Sequence, residues 1–302
     1  MVTITKTRRQ MLPIKLVLFV LSVALTWSDN SRAADIATDG AAESGAPENS
    51  NGGYFEFGVG LHLNANSERP GARAQILLAG AYRYRGLFLE AFTPSISANG
   101  SRLEVGGISL GVNLWHNDRW SLDLLGASTQ ARFRSSRDNV DVLNSTDPEL
   151  ERAVLERDTF YSGAGIRLTG YFGNTIFRYR LMDDTHGGNG LFSSATIGYS
   201  RQLRNWNIHT LLSANFLSEE LGQLWYGISA DEASERFPQF DIGSTSFTYD
   251  IEIGATYPIR ENVVFRSVVR HTQLSDTIRE SPFLDNDNKF GIGWSTTISY
   301  VF

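Results

Sequence analysis

The alternation of apolar and polar residues near the end of the chain constrains its fold more than any other feature. In the stretch NKFGIGWSTTISYVF, the even-numbered residues from Phe290 to Phe302 are mostly large and apolar, and the residues between them are small and mostly polar. Neighbouring side chains of a β-strand point to opposite faces, so this period of two predicts a strand with two chemically different faces. A soluble β-sandwich would bury the apolar face in its core, whereas a transmembrane barrel would turn it towards lipid.

The same alternation recurs along the chain from Gly53 onward, for example in YFEFGVGLHLN, WNIHTLLSANF and FTYDIEIGATY. There are twelve such runs, near residues 53–64, 73–84, 86–97, 102–114, 119–131, 157–172, 174–181, 190–202, 205–217, 243–258, 262–275 and 288–302. Most of them reach the roughly 9–11 residues that a tilted transmembrane strand needs. The pattern therefore predicts about twelve membrane-crossing strands.

The connections between these runs alternate in length. The short connections are Arg85–Gly86, WHNDRW, FGNT, RQLRNW and YPIREN, and the long ones cover residues 133–156, 182–189, 218–242 and 276–287. Outer-membrane barrels have short periplasmic turns and longer outer loops. We therefore predict an all-β fold, a transmembrane antiparallel up-and-down β-barrel with its short turns in the periplasm.

Aromatic residues on the apolar face favour lipid over a soluble core. They cluster at the strand ends next to the short turns: Phe55, Tyr82, Tyr84, Trp120, Phe172, Tyr199, Trp206, Tyr257 and Tyr300. Aromatic girdles of this kind mark the membrane–water interface of transmembrane barrels.

The start of the chain predicts export. Lys6, Arg8 and Arg9 precede the short apolar segment LVLFVLSVALTW, and small residues follow at a cleavage site ending at Ala33. We predict a cleaved signal peptide over residues 1–33, a disordered periplasmic leader over 34–52 and a barrel over 53–302 in the outer membrane of a Gram-negative cell.

The chain has no cysteine, which excludes disulfides and thiolate chemistry. Its net charge of −6 argues against a nucleic-acid partner.

The predicted register places charged residues of both signs in the lumen. The acids are Glu56, Glu90, Asp123, Asp250 and Glu252, and the arginines are Arg83, Arg167, Arg178, Arg180, Arg266 and Arg270. Five acids and six arginines nearly cancel, and barrels of this size have narrow interiors that side chains can largely fill. This balance favours an ion-paired plug, with a passive pore for small solutes as the alternative.

No catalytic, cofactor-binding or metal-binding residues are predicted. The five histidines accompany no nucleophile motif, and the segment DNDN lacks the glycine and distal glutamate of a calcium loop. An outer-membrane enzyme that modifies lipid is therefore the third candidate function.

Two outer loops carry sequence signals for helices. These are Asp147 and Pro148 at the start of DPELERAVLERD, and the capping-box pair Ser229 and Glu232 in SADEASERFP.

Two loop segments carry a resemblance to a known family. In YGISADEASERFPQF and LSDTIRESPF, the matching residues are Tyr226, Gly227, Ser229, Glu232, Ala233, Phe237, Pro238, Phe240, Leu274, Asp276, Ser281 and Pro282. They resemble the pattern of the MltA-interacting protein (MipA/OmpV) family of Gram-negative outer-membrane proteins. The resemblance implies a non-enzymatic barrel embedded in outer-membrane lipid. It also implies a scaffold or structural role in the cell envelope, with a lytic transglycosylase and a penicillin-binding protein as partners. Other members of the family resemble porins or surface antigens.

The closing strand ends in Phe302, an aromatic residue of the kind that the barrel assembly machinery recognises.

Overall fold

The computed structural model describes residues 51–64, 71–92, 95–98, 101–136, 154–234, 237–282 and 290–302. The predicted signal peptide, nearly all of the predicted leader, and the DNDN segment lie outside these ranges. Neither helix found within them has the length and apolar character needed to cross a membrane.

The described chain forms one antiparallel sheet of thirteen strands that closes on itself. The strands are β1 Gly52–Asn64, β2 Gly71–Tyr84, β3 Leu87–Phe92, β4 Ser95–Ala98, β5 Ser101–His116, β6 Trp120–Ser136, β7 Val154–Phe172, β8 Thr175–Asp184, β9 Leu191–Leu203, β10 Trp206–Leu217, β11 Ser246–Arg260, β12 Val263–Leu274 and β13 Phe290–Val301. The two helices are α1 Glu219–Tyr226 and α2 Asp276–Arg279. Strand β1 pairs with β13, and β3 pairs with β5, which closes the ring. Because β3 and β4 follow one another along β5, the wall has twelve strand positions, and the predicted fold is confirmed.

Burial alternates along the strands as the sequence pattern predicts. Phe57 is 44% exposed, whereas its neighbour Glu56 is only 2% exposed. Apolar side chains thus cover the outside of the barrel, and small or polar side chains face inward. Aromatic side chains pack together near the short turns: the rings of Trp206 and Tyr257 lie 4.8 Å apart, and those of Trp120 and Phe172 lie 5.3 Å apart.

The prediction of a helix from Asp147 onward is wrong for the part of that segment that the structure describes. Residues 154–158 belong to β7, and the earlier residues of that segment lie outside the described ranges. Here β6 and β7 extend their ladder well past the other strands, down to the pair Ser136 and Val154. Cross-strand pairing satisfies the backbone groups of both strands, and it overrides the local helix preference of this segment.

The second predicted helix is displaced along the chain. Helix α1 lies before the capping-box segment and is capped by Ser218, whose hydroxyl accepts a hydrogen bond from the Leu221 amide. Ser229 and Glu232 form one half of the capping box, in which the Ser229 amide donates a 3.0 Å hydrogen bond to the Glu232 carboxylate. The Ser229 hydroxyl also donates to this carboxylate, and the Glu232 amide donates to the Ser229 carbonyl. No helix follows, because Ile228 pairs with Phe240 in an antiparallel bridge that folds the segment back on itself.

We expect Phe302→Ala to lower the yield of folded barrel in outer membranes, because Phe302 fastens the seam between β1 and β13. Its ring lies 4.6 Å from that of Tyr300 and 5.8 Å from that of Phe55, and alanine removes both contacts. The hydrogen bond of 2.8 Å from its amide to the Phe55 carbonyl does not depend on the side chain. Heat-modifiable electrophoretic mobility measures the folded fraction. Ile259→Ala removes an exposed apolar side chain at the same rim and is the control. An unchanged folded fraction in Phe302→Ala would contradict this role.

Candidate functional site

The periplasmic half of the lumen is lined by a layer of buried side chains, which we call the floor. Each of its residues faces inward and lies within eight residues of a strand end at the short-turn side. Eleven strands contribute to it: Glu56, Ala79, Phe88, Glu90, Ser109, Ser121, Asp123, Leu125, Arg167, Thr169, Ile176, Ser200, His209, Leu211, Glu252, Thr297 and Ser299. Buried polar side chains in this number need mutual compensation.

Arg167 is the centre of the first ionic cluster in the floor. Its guanidinium is 1% exposed, with Nε 2.8 Å from Asp123 Oδ2 and Nη1 2.8 Å from Glu90 Oε2. The same guanidinium lies over the ring of Phe88, 4.7 Å from its centroid. Asn113 donates a further hydrogen bond of 2.9 Å to Asp123. Two carboxylates and one arginine from three different strands therefore satisfy one another away from water.

Two further clusters occupy the opposite side of the floor. Arg266 Nη1 lies 3.0 Å from Glu56 Oε1, and the Ser299 hydroxyl also donates to this carboxylate. In the other cluster, Arg270 lies 2.6 Å and His209 lies 3.2 Å from the Glu252 carboxylate. The His209 ring rests on Gly254, where an added Cβ would come within 2.3 Å of the ring. Only glycine leaves room for this histidine.

The remaining lumen charges lie on inward positions with partly exposed side chains. Arg178 and Arg180 pair in register with Thr169 and Arg167 of β7, and Arg83 Nη2 lies 3.7 Å from Glu90 Oε1. Asp250 accepts hydrogen bonds of 2.5 Å from Thr272 and 3.2 Å from Asn215. Arg83, Arg178 and Arg180 thus lie beside residues of the floor, but their side chains are only partly buried.

The outer end of the barrel carries a folded cap, the lid, formed by residues 218–234, 237–245 and 275–282. Its apolar core comprises Leu221, Tyr226, Ile228, Phe237, Ile242 and Ile278, packed with Tyr161 and Leu217. Phe192 and Leu274 flank this core. Four of these residues occupy inward-facing positions of the strands, namely Tyr161, Phe192, Leu217 and Leu274. The lid therefore packs over the mouth of the barrel beside β7, β9, β10 and β12. Burial raises the pKa of the Tyr226 phenol, which therefore remains neutral.

The residues that carry the family resemblance stabilise this lid. The Ser281 hydroxyl donates a hydrogen bond of 2.6 Å to the Tyr226 carbonyl. This bond joins the lid segment 275–282 to the lid segment 218–234. Gly227 lies against Gln223, which would be 2.2 Å from an added Cβ. Gln223 cannot easily move, because its side chain bonds the Ile242 amide and the Phe240 carbonyl. Phe237 is fully buried, while Ala233 and Pro238 are exposed and Pro282 lies partly exposed where the lid ends. The geometry gives the buried residues of this set a packing role.

We expect Ser281→Ala to loosen the lid at a cost of about 1 kcal/mol, the usual net value of one hydrogen bond. Amide hydrogen exchange should then become faster in α1 and around Ile228, because the two lid segments lose their buried link. Ser244→Ala removes an exposed hydroxyl in the same lid and should leave exchange unchanged. Equal exchange in both variants would contradict a structural role for Ser281.

The five histidines occupy separate places. His62 and His209 face the lumen, His116 ends β5, His271 faces outward from β12, and His186 contacts the Thr185 hydroxyl at 3.2 Å. His209 also pairs in register with Ser200, so a serine, a histidine and Glu252 are neighbours, which the sequence did not predict. All three are buried in the floor, and Glu252 is held by Arg270. Within the described ranges, no group of three or more potential metal ligands occurs.

The chain is similar to several known proteins. Residues 57–302 match the family model described as "MltA-interacting protein MipA". A curated relative from Escherichia coli (strain K12), named "Putative outer membrane protein YiaT", is 21% identical over 205 residues, covering 67% of this chain and 80% of its own. The KdgM porin in complex with disordered oligogalacturonate is 10% identical, with a TM-score of 0.40, and covers 82% of this chain and 99% of its own. A TodX monoaromatic hydrocarbon channel mutant is 13% identical, with a TM-score of 0.42, and covers 90% of this chain and 96% of its own. The family match spans nearly all of the barrel, and the chain belongs to the MltA-interacting protein MipA family.

Proposed function

We propose that this barrel is a non-enzymatic scaffold of the cell envelope that holds murein-remodelling enzymes at its periplasmic rim. A lytic transglycosylase is the first partner, in keeping with the family name, and a penicillin-binding protein is the second. The observation that supports the proposal is the floor, in which buried side chains from eleven strands line the lumen. In this proposal the floor closes the lumen, so the barrel serves better as a rigid frame than as a conduit.

The periplasmic rim is the surface that such partners could reach. It consists of short turns such as Arg85–Gly86 and Arg204–Asn205, which are held by the closed sheet. The lid lies at the other end and would face the cell exterior. In this proposal a signal peptide over residues 1–33 exports the chain, and the barrel assembly machinery inserts it through the strand that ends at Phe302.

Cysteine scanning tests both the sidedness and the partner. The chain has no native cysteine, so Asn205→Cys at a short turn and Ser234→Cys in the lid give single reactive sites. On intact cells, a membrane-impermeant maleimide should label only the lid variant. With a purified lytic transglycosylase and a bifunctional cross-linker, only the rim variant should form an adduct. Adducts at Ser234→Cys alone, or at neither position, would overturn the proposal.

A passive pore for small solutes is the second candidate. The partial exposure of Arg178, Arg180 and Asp250 favours it, because these side chains line an accessible part of the lumen. An enzymatic role is disfavoured by the burial of His209 and Ser200 in the floor, where lipid acyl chains have no access.

A further inference from the structure

The short turns at the periplasmic rim carry more arginines than acids, although the chain as a whole has a net charge of −6. Four of the five short turns expose an arginine, namely Arg85, Arg119, Arg204 and Arg260, against the two exposed acids Asp118 and Glu261. In the outer segments 182–190, 218–234, 237–245 and 275–282, nine acids accompany one arginine, Arg279: Asp183, Asp184, Glu219, Glu220, Asp231, Glu232, Asp241, Asp276 and Glu280. The short turns of the rim are thus more basic than these outer segments.

The rim arginines are presented by turns with fixed backbones. The Arg85 amide donates a 2.7 Å hydrogen bond to Asn51, and the Arg119 amide donates a 2.9 Å hydrogen bond to Asn117. Arg85 and Arg204 have φ values of 51° and 55°, in the left-handed region that favours glycine or asparagine. Strained positions of this kind occur frequently at functional sites, so arginines at these two positions are candidates for a binding role.

These arginines lie in turns next to the aromatic girdle, and the Arg85 guanidinium lies 5.3 Å from the ring centroid of Tyr84. Tyr84 immediately precedes Arg85, Trp120 immediately follows Arg119, and Trp206 follows Arg204 by two residues. Because the girdle marks the membrane interface, the turns beyond it extend towards the aqueous periplasm. The four arginines are also spread around the ring, in the turns β2–β3, β5–β6, β9–β10 and β11–β12. That spacing suits an extended polyanion lying across the rim.

We propose that the rim binds the murein layer directly, with the four arginines pairing with carboxylates of its peptide stems. This inference rests on the proposed function, since it assigns a further ligand to the same rim. Guanidinium groups match carboxylates in geometry and can bind them in bidentate fashion. Each exposed pair contributes little, and simultaneous engagement of several pairs provides the affinity. The scaffold would then contact the polymer that its enzyme partners cut and extend.

Co-sedimentation with purified, protein-free murein sacculi tests the inference. The barrel is embedded in nanodiscs, so that any need of the arginines for lipid headgroups is already met, and empty nanodiscs give the background. We expect the wild-type barrel to sediment with sacculi at low salt and to be released at about 1 M salt, where the Debye length is about 3 Å. The variant R85Q/R119Q/R204Q/R260Q should bind roughly tenfold less.

The matched control is E219Q/D231N, which removes exposed charges from the outer end and should retain full binding. Sedimentation that is equal in the rim variant and the wild type would overturn the inference, as would the absence of wild-type sedimentation. The latter result would leave the arginines as lipid anchors only. Cross-linking of the transglycosylase to Asn205→Cys is measured separately, so loss of murein binding with retained partner adducts would reject this inference and preserve the proposed function.

Discussion

Arg167→Met is expected to lower the free energy of unfolding by about 3–5 kcal/mol, the cost of leaving a buried ionic cluster uncompensated. Methionine approximates the length of the arginine stem, but it leaves the carboxylates of Asp123 and Glu90 without their 2.8 Å partner. Both carboxylates are almost completely buried, so water cannot replace the lost contacts. Denaturant unfolding in lipid vesicles, followed by tryptophan fluorescence, measures the change.

The matched control for Arg167 removes the whole cluster instead of one member. In R167M/E90Q/D123N all three fully buried charges are removed, while the neighbouring Arg83 is 19% exposed and keeps access to water. Replacement of a complete buried cluster is often close to neutral. We therefore expect the triple variant to recover most of the stability that the single variant loses. If the triple variant is as unstable as the single one, packing around Phe88 would matter more than charge, and the ionic description of the floor would be wrong.

Ile253→Arg is expected to destabilise the barrel by about 2–4 kcal/mol, the cost of an arginine on the lipid face near the bilayer centre. Ile253 lies at the middle of β11 and is 50% exposed on the outside of the barrel. Thr256→Arg is the matched variant, because Thr256 is on the same strand but faces inward, opposite Arg266 and Asn207. It should cost much less. Equal costs would mean that the faces of β11 are assigned incorrectly, since a shift of one residue exchanges them.

The barrel could be predicted from the sequence because its determinants are local. Alternation along each strand, the lengths of the turns and the position of the aromatic residues can all be read within about twenty residues. The helices were harder to locate. Ser218 and the acids Glu219 and Glu220 provided a cap and a favourable first turn for α1, but the capping-box pattern at Ser229 was a stronger local signal. The bridge between Ile228 and Phe240 decided against that pattern, and it is a tertiary contact.

The inward direction of the charged side chains followed from alternation, but their pairing did not. Arg167 and Glu90 are 77 positions apart in sequence, and Arg266 and Glu56 are 210 apart. These contacts depend on the stagger of strands that are not neighbours in the sheet, and no local pattern encodes that stagger. The degree of burial could not be predicted from the sequence either. Alternation places both Asp123 and Asp250 on the inward face, but of these two only Asp123 is fully buried.

Electrical recording from the purified barrel in a planar bilayer tests the central claim most directly. A lumen filled by the floor predicts no stable conductance steps above the leak of the bare membrane. R167M/E90Q/D123N provides the comparison within the same protein, because removal of the central cluster should raise the conductance if the floor forms the barrier. Reproducible, ohmic steps from the wild-type barrel, of the size that open porins produce, would contradict the scaffold account and establish a pore.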